Sequence, residues 1–453
     1  MKQSGIQIIY FAIAIVLALV VSGASIAVIS VIFITLIAAL LQSKRHNNTE
    51  VRQYAIKLSL ITLSTYIISS LFFADAFADG QSFLMNDPLT YFEQLKLKSW
   101  DLESGEYLFA SYFLFSNVDV LQLILLKFLV IMANNYLGGA SILYLTLTNV
   151  FWGVLSIGVL FRILLILLPT NKAYKYSLVF ALCSQFHFYS VSYVRDIIIA
   201  FLFILAIEIL LKEFKYKNVF LLFILALLIW GFRLFFGVFM LMVTAFYLYW
   251  GVKSTRFGRI ISYALIIAVL FIAIPAILKS DLFELSTSEV TSYQEMYDES
   301  AASSGLSSKL NSLPHGLREV SMFIFSQMMP FPCFDAFPEA NKISHFYMAS
   351  LRAVFAVYWY FISFGLMYML FLGGSLKKFS SYEKWLLLIC AVFILFNCTQ
   401  TDVRRLMAVY PLLLYFYVES KHIYIKNFSK LRINHSLAIV YFGLLFIYTC
   451  LKI

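Results

Sequence analysis

The sequence is poor in charged residues and in proline. Asp, Glu, Lys and Arg together make up 13% of its 453 residues, and there are only 8 prolines. Soluble domains carry roughly twice that charged fraction, so an ordinary soluble protein is excluded. The five cysteines are an odd number without a C-x-x-C spacing. They therefore predict neither a disulfide framework nor a metal site. The alternating pattern of an outer-membrane barrel is also missing.

The sequence is instead rich in apolar runs. Residues of apolar type make up 62% of the chain, and the mean hydropathy is +0.86. Such runs predict an all-α, polytopic transmembrane protein of about 12–13 spans that forms one integral membrane domain over 1–453. The predicted spans are 6–22, 25–42, 55–74, 140–167, 176–192, 197–211, 218–230, 234–252, 260–278, 352–372, 384–400, 406–418 and 435–451.

The basic residues follow the alternation of these spans. With the N-terminus in the cytoplasm, 21 of the 34 Lys and Arg residues but only 5 of the 24 acidic residues fall on the cytoplasmic side. This distribution is typical of a multi-pass protein with a cytoplasmic N-terminus. It also accounts for the net charge of +10 without a nucleic-acid partner.

Two outer loops are much longer than the turns that join most of the predicted spans. Residues 106–135 do not fit the alternation as a full span and are predicted to be interfacial or re-entrant. In the late loop an amphipathic helix is predicted at about 316–329. We expect the outer loops 75–139 and 279–350 to form an extracytoplasmic cap. A loop as long as 279–350 is more often functional than not.

Two apolar runs joined by a lysine-rich turn bring the clearest candidate residues. The turn contains Lys212, Lys215 and Lys217, so the far ends of both runs, at Arg195-Asp196 and Arg233, should share the outer face. Arginine at the mouth of a membrane helix is costly unless it has an anionic partner. The alternatives are a substrate site for a phosphate-bearing lipid, or snorkelling and carboxylate pairing that only fix the topology.

Further arginines are predicted on the same face, at Arg318, Arg352, Arg404 and Arg405. Guanidinium groups bind phosphate oxygens through two parallel hydrogen bonds and stay charged at physiological pH. The simpler interpretation of Arg404 and Arg405 is that they pair with Asp402 and the acidic loops.

The candidate catalytic groups are the outer-face acids Asp75, Asp79 and Asp87, together with His345. Asp75 and Asp79 lie where a span leaves the membrane and can act as a general base toward a sugar hydroxyl. Asp87-Pro88 also fits a helix start, with Asp87 as the N-cap. His345 is either a proton acceptor or an interfacial aromatic residue.

Four segments carry a resemblance to a known family. They are the acidic outer loop with NDPLTYF, the unit SYVRDIIIAFLFILAIEILLK, the large late outer loop, and TDVRRLMAVYPLLL near the end. In order and topology the chain resembles the bacterial Wzy-type and EpsG-like polysaccharide repeat-unit polymerases. It departs from the EpsG-like pattern because Asp196 follows the arginine and no His-Ser-Ala follows later.

The resemblance implies a glycosyltransferase of the bacterial cytoplasmic (inner) membrane that polymerises lipid pyrophosphate-linked oligosaccharides. Donor and acceptor would both be polyprenyl pyrophosphate-linked glycans, with a chain-length regulator and a flippase as candidate partners. No cofactor and no metal are expected. Three alternatives stay open: a transferase that moves one sugar from a polyprenyl phosphate, a flippase or other transporter of lipid-linked oligosaccharides, and a non-catalytic assembly partner.

Overall fold

The fold is known from a computed structural model. It describes residues 2–78, 120–252, 313–314, 317–327, 331, 333, 337, 342–397, 403–425 and 431–452. Helices dominate, and the described residues contain no strand. The predicted all-α fold is therefore confirmed.

Fifteen α-helices and two 3₁₀ helices, Ser375–Lys378 and Val403–Ala408, are formed by the residues that the structure describes. The α-helices are α1 Lys2–Val21, α2 Ile26–Ser43, α3 Thr49–Ala78, α4 Val120–Tyr136, α5 Ile142–Leu164, α6 Thr170–Cys183, α7 Gln185–Val191, α8 Asp196–Leu210, α9 Tyr216–Phe232, α10 Leu234–Val252, α11 Leu317–Ser326, α12 Ile343–Phe371, α13 Ser381–Asn397, α14 Tyr410–Ile425 and α15 Leu431–Lys452.

Five of the described helices are long and apolar enough to cross a membrane: α2, α3, α5, α10 and α12. Shorter apolar stretches lie in α1, α4, α9 and α15. A polytopic membrane protein follows from these helices, because a span needs about 20 predominantly apolar residues. The predicted span 260–278 lies outside the described residues, as do residues 106–119 of the predicted interfacial stretch.

Several predicted boundaries are confirmed and others are wrong; the span predicted at 406–418, for example, is the helix α14 from Tyr410 to Ile425. The helices around the lysine-rich turn, α8 and α9, match the runs predicted at 197–211 and 218–230, and α11 matches the predicted amphipathic helix. The span predicted at 352–372 begins earlier, at Ile343, because polar residues at its start are buried instead of solvated. The run 176–192 is broken at Ser184, whose hydroxyl accepts a hydrogen bond from the Phe186 amide and starts α7.

The chain folds into two compact units. Unit 1 contains residues 1–85, 141–204 and 322–453, and unit 2 contains 86–140 and 205–321. In unit 1, α3 packs against α1, α2, α5, α6, α7 and α12. The α3 hydroxyls of Ser64, Ser69 and Ser70 donate to carbonyls one turn earlier at 2.7–2.9 Å. Small residues with satisfied hydroxyls let membrane helices approach closely.

Unit 2 contains the hairpin of α9 and α10, and α4 packs against α9. Its lysine-rich end is fixed by Tyr247, whose hydroxyl donates to the Glu213 carbonyl at 3.3 Å. Phe214 packs on Tyr247 with ring centroids 5.3 Å apart. The helices predicted on either side of Lys212–Lys217 are present as α8 and α9.

The packing of α5 on α7 depends on Gly153. A Cβ atom added at Gly153 would lie 2.7 Å from the Cβ of buried Ser190 and 3.1 Å from the Tyr66 ring. We expect Gly153→Ala to destabilise the fold by about 1–3 kcal/mol through overpacking. Thermal unfolding of the purified protein would measure this. Gly443→Ala is the matched control, since no atom lies within 4 Å of a Cβ at that position. Equal melting temperatures for both variants would contradict the packing argument.

A carboxyl pair lies just after the predicted span 406–418. Glu383 accepts hydrogen bonds from the Ser380 amide and hydroxyl, both at 2.7 Å. Half-buried Glu419 forms a hydrogen bond with Glu383. Burial, together with the nearby Glu383 charge, raises the pKa of Glu419 from 4.5 to about 8. The folded protein therefore holds a proton there that the unfolded chain releases at lower pH.

This pair predicts a pH-dependent stability. A raised carboxyl pKa means that the stabilisation is complete below about pH 4.5 and is lost as the pH rises through about 8. The melting temperature of the purified protein should therefore fall between pH 5 and pH 8.5, and Glu419→Gln should flatten that slope. Glu213→Gln, in the lysine-rich turn of unit 2, is the control. An unchanged slope in Glu419→Gln would show that the pair does not hold the proton.

Candidate functional site

Arg195 and Asp196 are held in place by an amide from a neighbouring helix. The Asn149 side chain of α5 donates to the Ser192 carbonyl at 3.0 Å and to the Val194 carbonyl at 2.8 Å. Asn149 is buried, so both bonds form away from water, where an unpaired carbonyl would be costly. They fix the link between α7 and α8. Asp196 then begins α8, where a negative charge suits the helix dipole.

Asp196 pairs with an arginine more than two hundred residues later in the chain. The Nε atom of Arg404 lies 4.0 Å from Oδ2 of Asp196, with side-chain exposures of 13% and 3%. Arg404 and Arg405 belong to the 3₁₀ helix Val403–Ala408, which packs against α7. We call Arg195, Asp196, Arg404 and Arg405 the arginine cluster. Arg195 and Arg405 are half-buried, and each is the sequence neighbour of one member of this pair.

The structure adds a carboxylate partner for Arg404, Asp196. The partner suggested by the sequence, Asp402, lies outside the described residues, and its pairing stays a prediction. Sequence spacing could not indicate the pairing of Arg404 with Asp196, because it depends on how the 3₁₀ helix Val403–Ala408 packs against α7.

The remaining predicted arginines are spread over other elements. Arg318 lies in α11 and Arg352 in α12, and Arg352 is half-buried. Arg233 is buried in unit 2, between α9 and α10, with its guanidinium carbon 5.2 Å from the centre of the Phe236 ring. A cation over an aromatic face is a favourable arrangement. That Arg233 shares a pocket with Arg195 stays a prediction.

Asp75 lines a cavity between three helices of unit 1. The cavity has a volume of about 920 Å³ and is bounded by residues of α1, α3 and α12. We call it the Asp75 cavity; its lining residues are Val21, Leu71, Phe72, Asp75, Lys342, Ile343, Ser344 and Phe346. The cavity is wide open, and its mostly apolar walls with a few polar groups are a composition that small-molecule sites share.

The polar groups of the Asp75 cavity are available to a ligand. Asp75 is exposed and makes no hydrogen bond or ion pair with the described part of the chain. The Ser344 hydroxyl is buried, and no described residue forms a hydrogen bond with it. A buried hydroxyl without a partner is costly, and such groups call for an explanation such as a bound ligand or water.

His345, Asp79 and Asp87 are the other candidate catalytic residues. His345 is buried, with 1% of its surface exposed, and whether it accepts a proton or is an interfacial aromatic residue stays a prediction. Asp79 and Asp87 lie outside the described residues, and their roles stay predictions.

A buried polar network beneath the Asp75 cavity was missed at the sequence level. The Ser69 hydroxyl lies 2.7 Å from Nε2 of His187 and 2.6 Å from the Tyr347 hydroxyl. Nδ1 of His187 faces the Leu182 carbonyl at 3.1 Å, and Tyr66 stacks on the imidazole. The network joins α3, α7 and α12. His187 within an apolar run was the available signal, since ionisable residues in membrane segments mark functional sites.

Ser69 and His187 do not form a hydrolytic site. A nucleophilic serine needs a base and an open side for its substrate. The Ser69 hydroxyl also bonds the Thr65 carbonyl at 2.9 Å, and the residue is fully buried. Its hydrogen-bonding capacity is therefore filled by the protein. The network instead positions Tyr347. Its ring stacks on Phe72, a residue that lines the cavity, with the ring centroids 4.4 Å apart.

Helix α7 contacts elements that carry the arginine cluster and elements that line the Asp75 cavity. Helix α7 has only seven residues and is therefore about 10 Å long. It packs against α3 and α12, which line the cavity, and against the 3₁₀ helix that carries Arg404.

These features define a polytopic helical membrane protein with a charged site enclosed in its bundle. Comparison with known proteins finds no matching family model, no similar curated protein and no solved structure of similar fold.

Proposed function

We propose that this protein is a glycosyltransferase of the bacterial inner membrane that polymerises lipid pyrophosphate-linked oligosaccharide repeat units at the extracytoplasmic face. The observation that carries the proposal is the arginine cluster, in which Arg404 pairs with buried Asp196 and is followed in sequence by Arg405. Arginine inside an apolar bundle is costly to keep, and it is the side chain best suited to bind phosphate oxygens.

The arginine cluster would hold the pyrophosphate of the donor lipid. The acceptor hydroxyl oxygen forms a bond to the anomeric carbon of the donor sugar, and the bond from that carbon to the pyrophosphate oxygen breaks. Negative charge grows on the departing pyrophosphate, so fixed guanidinium groups stabilise the transition state more than the ground state.

Asp75 would accept the proton of the acceptor hydroxyl. Its carboxylate has no partner in the described part of the chain and lines a cavity large enough for a glycan. General base catalysis by a positioned carboxylate contributes about 10²–10⁴-fold to a rate. The proton lost by the acceptor is thus placed on Asp75, and the leaving pyrophosphate remains lipid-bound.

The test is the surface glycan of a strain that lacks the gene. Loss of a polymerase should leave single repeat units on the surface, whereas loss of a flippase should leave none exported. Complementation with Arg195→Ala and Arg233→Ala, each checked for normal membrane insertion, then tests the predicted arginines. Full-length polymer in the deletion strain would refute the polymerase function.

A further inference from the structure

The Asp75 cavity contains polar groups that the described part of the protein leaves without partners. Ser344, at the start of α12, is 2% exposed, and its hydroxyl has no hydrogen-bond partner among the described residues. Asp75, on α3, has an exposed carboxylate without an ion-pair partner in that same part of the chain. A ligand that fits both must donate hydrogen bonds to a carboxylate and exchange one with a hydroxyl.

The side chains that line the Asp75 cavity further restrict the chemical class of its ligand. Phe346 is 56% exposed and Phe72 is half-buried, so aromatic surface is available next to the polar groups. Phe72 is held by its stacking on Tyr347, which the Ser69–His187 network fixes in turn. The Phe72 part of the wall is therefore held in place before a ligand binds, which lowers the entropic cost of binding.

We infer that the Asp75 cavity is the subsite for the terminal sugar of the acceptor, a neutral hydroxylated ring, with Ser344 and Phe346 as its specificity-determining residues. Hydroxyl groups of the ring donate to Asp75, and one bonds Ser344. The C–H face of the ring packs on Phe346. This inference rests on the proposed function, which it deepens by naming the substrate group that enters the cavity.

A phosphate group is the competing occupant, because Lys342 also lines the cavity. The Asp75 carboxylate disfavours an anion at the same place, since like charges at close range repel even when partly solvated. The two occupants therefore predict opposite effects of removing the Asp75 charge: weaker sugar binding, or stronger phosphate binding.

The experiment is saturation-transfer difference NMR on the full-length protein in lipid nanodiscs. The probes are the methyl glycosides of glucose, galactose and N-acetylglucosamine, with inorganic phosphate as competitor. We expect transfer to at least one glycoside, about fivefold weaker binding in Ser344→Ala for one lost hydrogen bond, and a loss at least as large in Phe346→Ala.

Two matched controls lie on the same helix. Ser363 donates to the Trp359 carbonyl at 2.9 Å, and Phe371 is exposed near the opposite end of α12. Ser363→Ala and Phe371→Ala should bind the glycosides as the wild type does. The inference is overturned if no glycoside shows transfer, if Ser344→Ala and Phe346→Ala bind like these controls, or if phosphate displaces the glycosides and binds more tightly to Asp75→Asn. Failure of the proposed function is seen separately, as full-length polymer in the deletion strain.

Discussion

Replacing Arg404 by glutamine is expected to abolish the polymer and to destabilise the protein. The substitution leaves Asp196 as a buried charge without the ion pair it has at 4.0 Å. Breaking a buried pair from one side costs about 3–5 kcal/mol. The melting temperature in detergent and the glycan ladder of a complemented deletion strain measure the two effects. A single variant cannot separate them, because an unfolded protein also makes no polymer.

The double variant Asp196→Asn with Arg404→Gln separates stability from function. It removes both charges of the pair, so neither residue carries a charge that has lost its partner in the pair, and most of the lost stability should return. If the arginine binds the donor pyrophosphate, the polymer should stay absent even though the protein folds. If the pair only fixes the fold, polymer and stability should return together, which would contradict the assignment of Arg404.

Replacing Asp75 by asparagine is expected to lower polymer formation by about 10²–10⁴-fold, the contribution of a positioned general base. Stability should not change, because the Asp75 side chain is exposed and has no partner among the described residues. The rate of polymer formation in membrane vesicles supplied with lipid-linked repeat units measures the effect. Asparagine keeps the shape of the side chain and removes only its basicity.

Glu50→Gln is the matched control for this prediction. Glu50 is an exposed acid in the first turn of α3, at the end opposite Asp75. Its replacement should leave the rate within about twofold of the wild type, as is usual for surface substitutions. A normal rate in Asp75→Asn would remove Asp75 from the chemistry and leave Asp79, Asp87 and His345 as candidates.

The sequence predicted the helices better than it predicted the site. Composition and hydropathy indicate an all-α membrane protein, and the turn around Lys212–Lys217 places α8 and α9 almost to the residue. Such features are local, because a run of about 20 apolar residues has few other solutions. The apolar span of α12 was predicted only from 352 because the polar residues Ser344 and His345 interrupt the apolar run, although packing buries both.

The site depended on tertiary packing that no local pattern contains. Arg404 and Asp196 were both candidates, yet their pairing required the 3₁₀ helix Val403–Ala408 to pack against α7. Asn149 had no motif around it, and its role appears only when two carbonyls of the 192–194 link lie within 3.0 Å of its amide. Ser69 is one of many hydroxyl residues in α3, and only the structure shows that His187 and Tyr347 contact it.

The central claim is that the guanidinium groups of the arginine cluster bind a lipid pyrophosphate. Its most direct test is the binding of radiolabelled polyprenyl pyrophosphate to the full-length protein in nanodiscs, for the wild type and for Asp196→Asn with Arg404→Gln. One lost charge-assisted hydrogen bond is worth about 1.5–3 kcal/mol, which corresponds to at least about tenfold in affinity. We expect saturable binding to the wild type and at least tenfold weaker binding to the folded double variant. Equal affinity for the two proteins would contradict the claim.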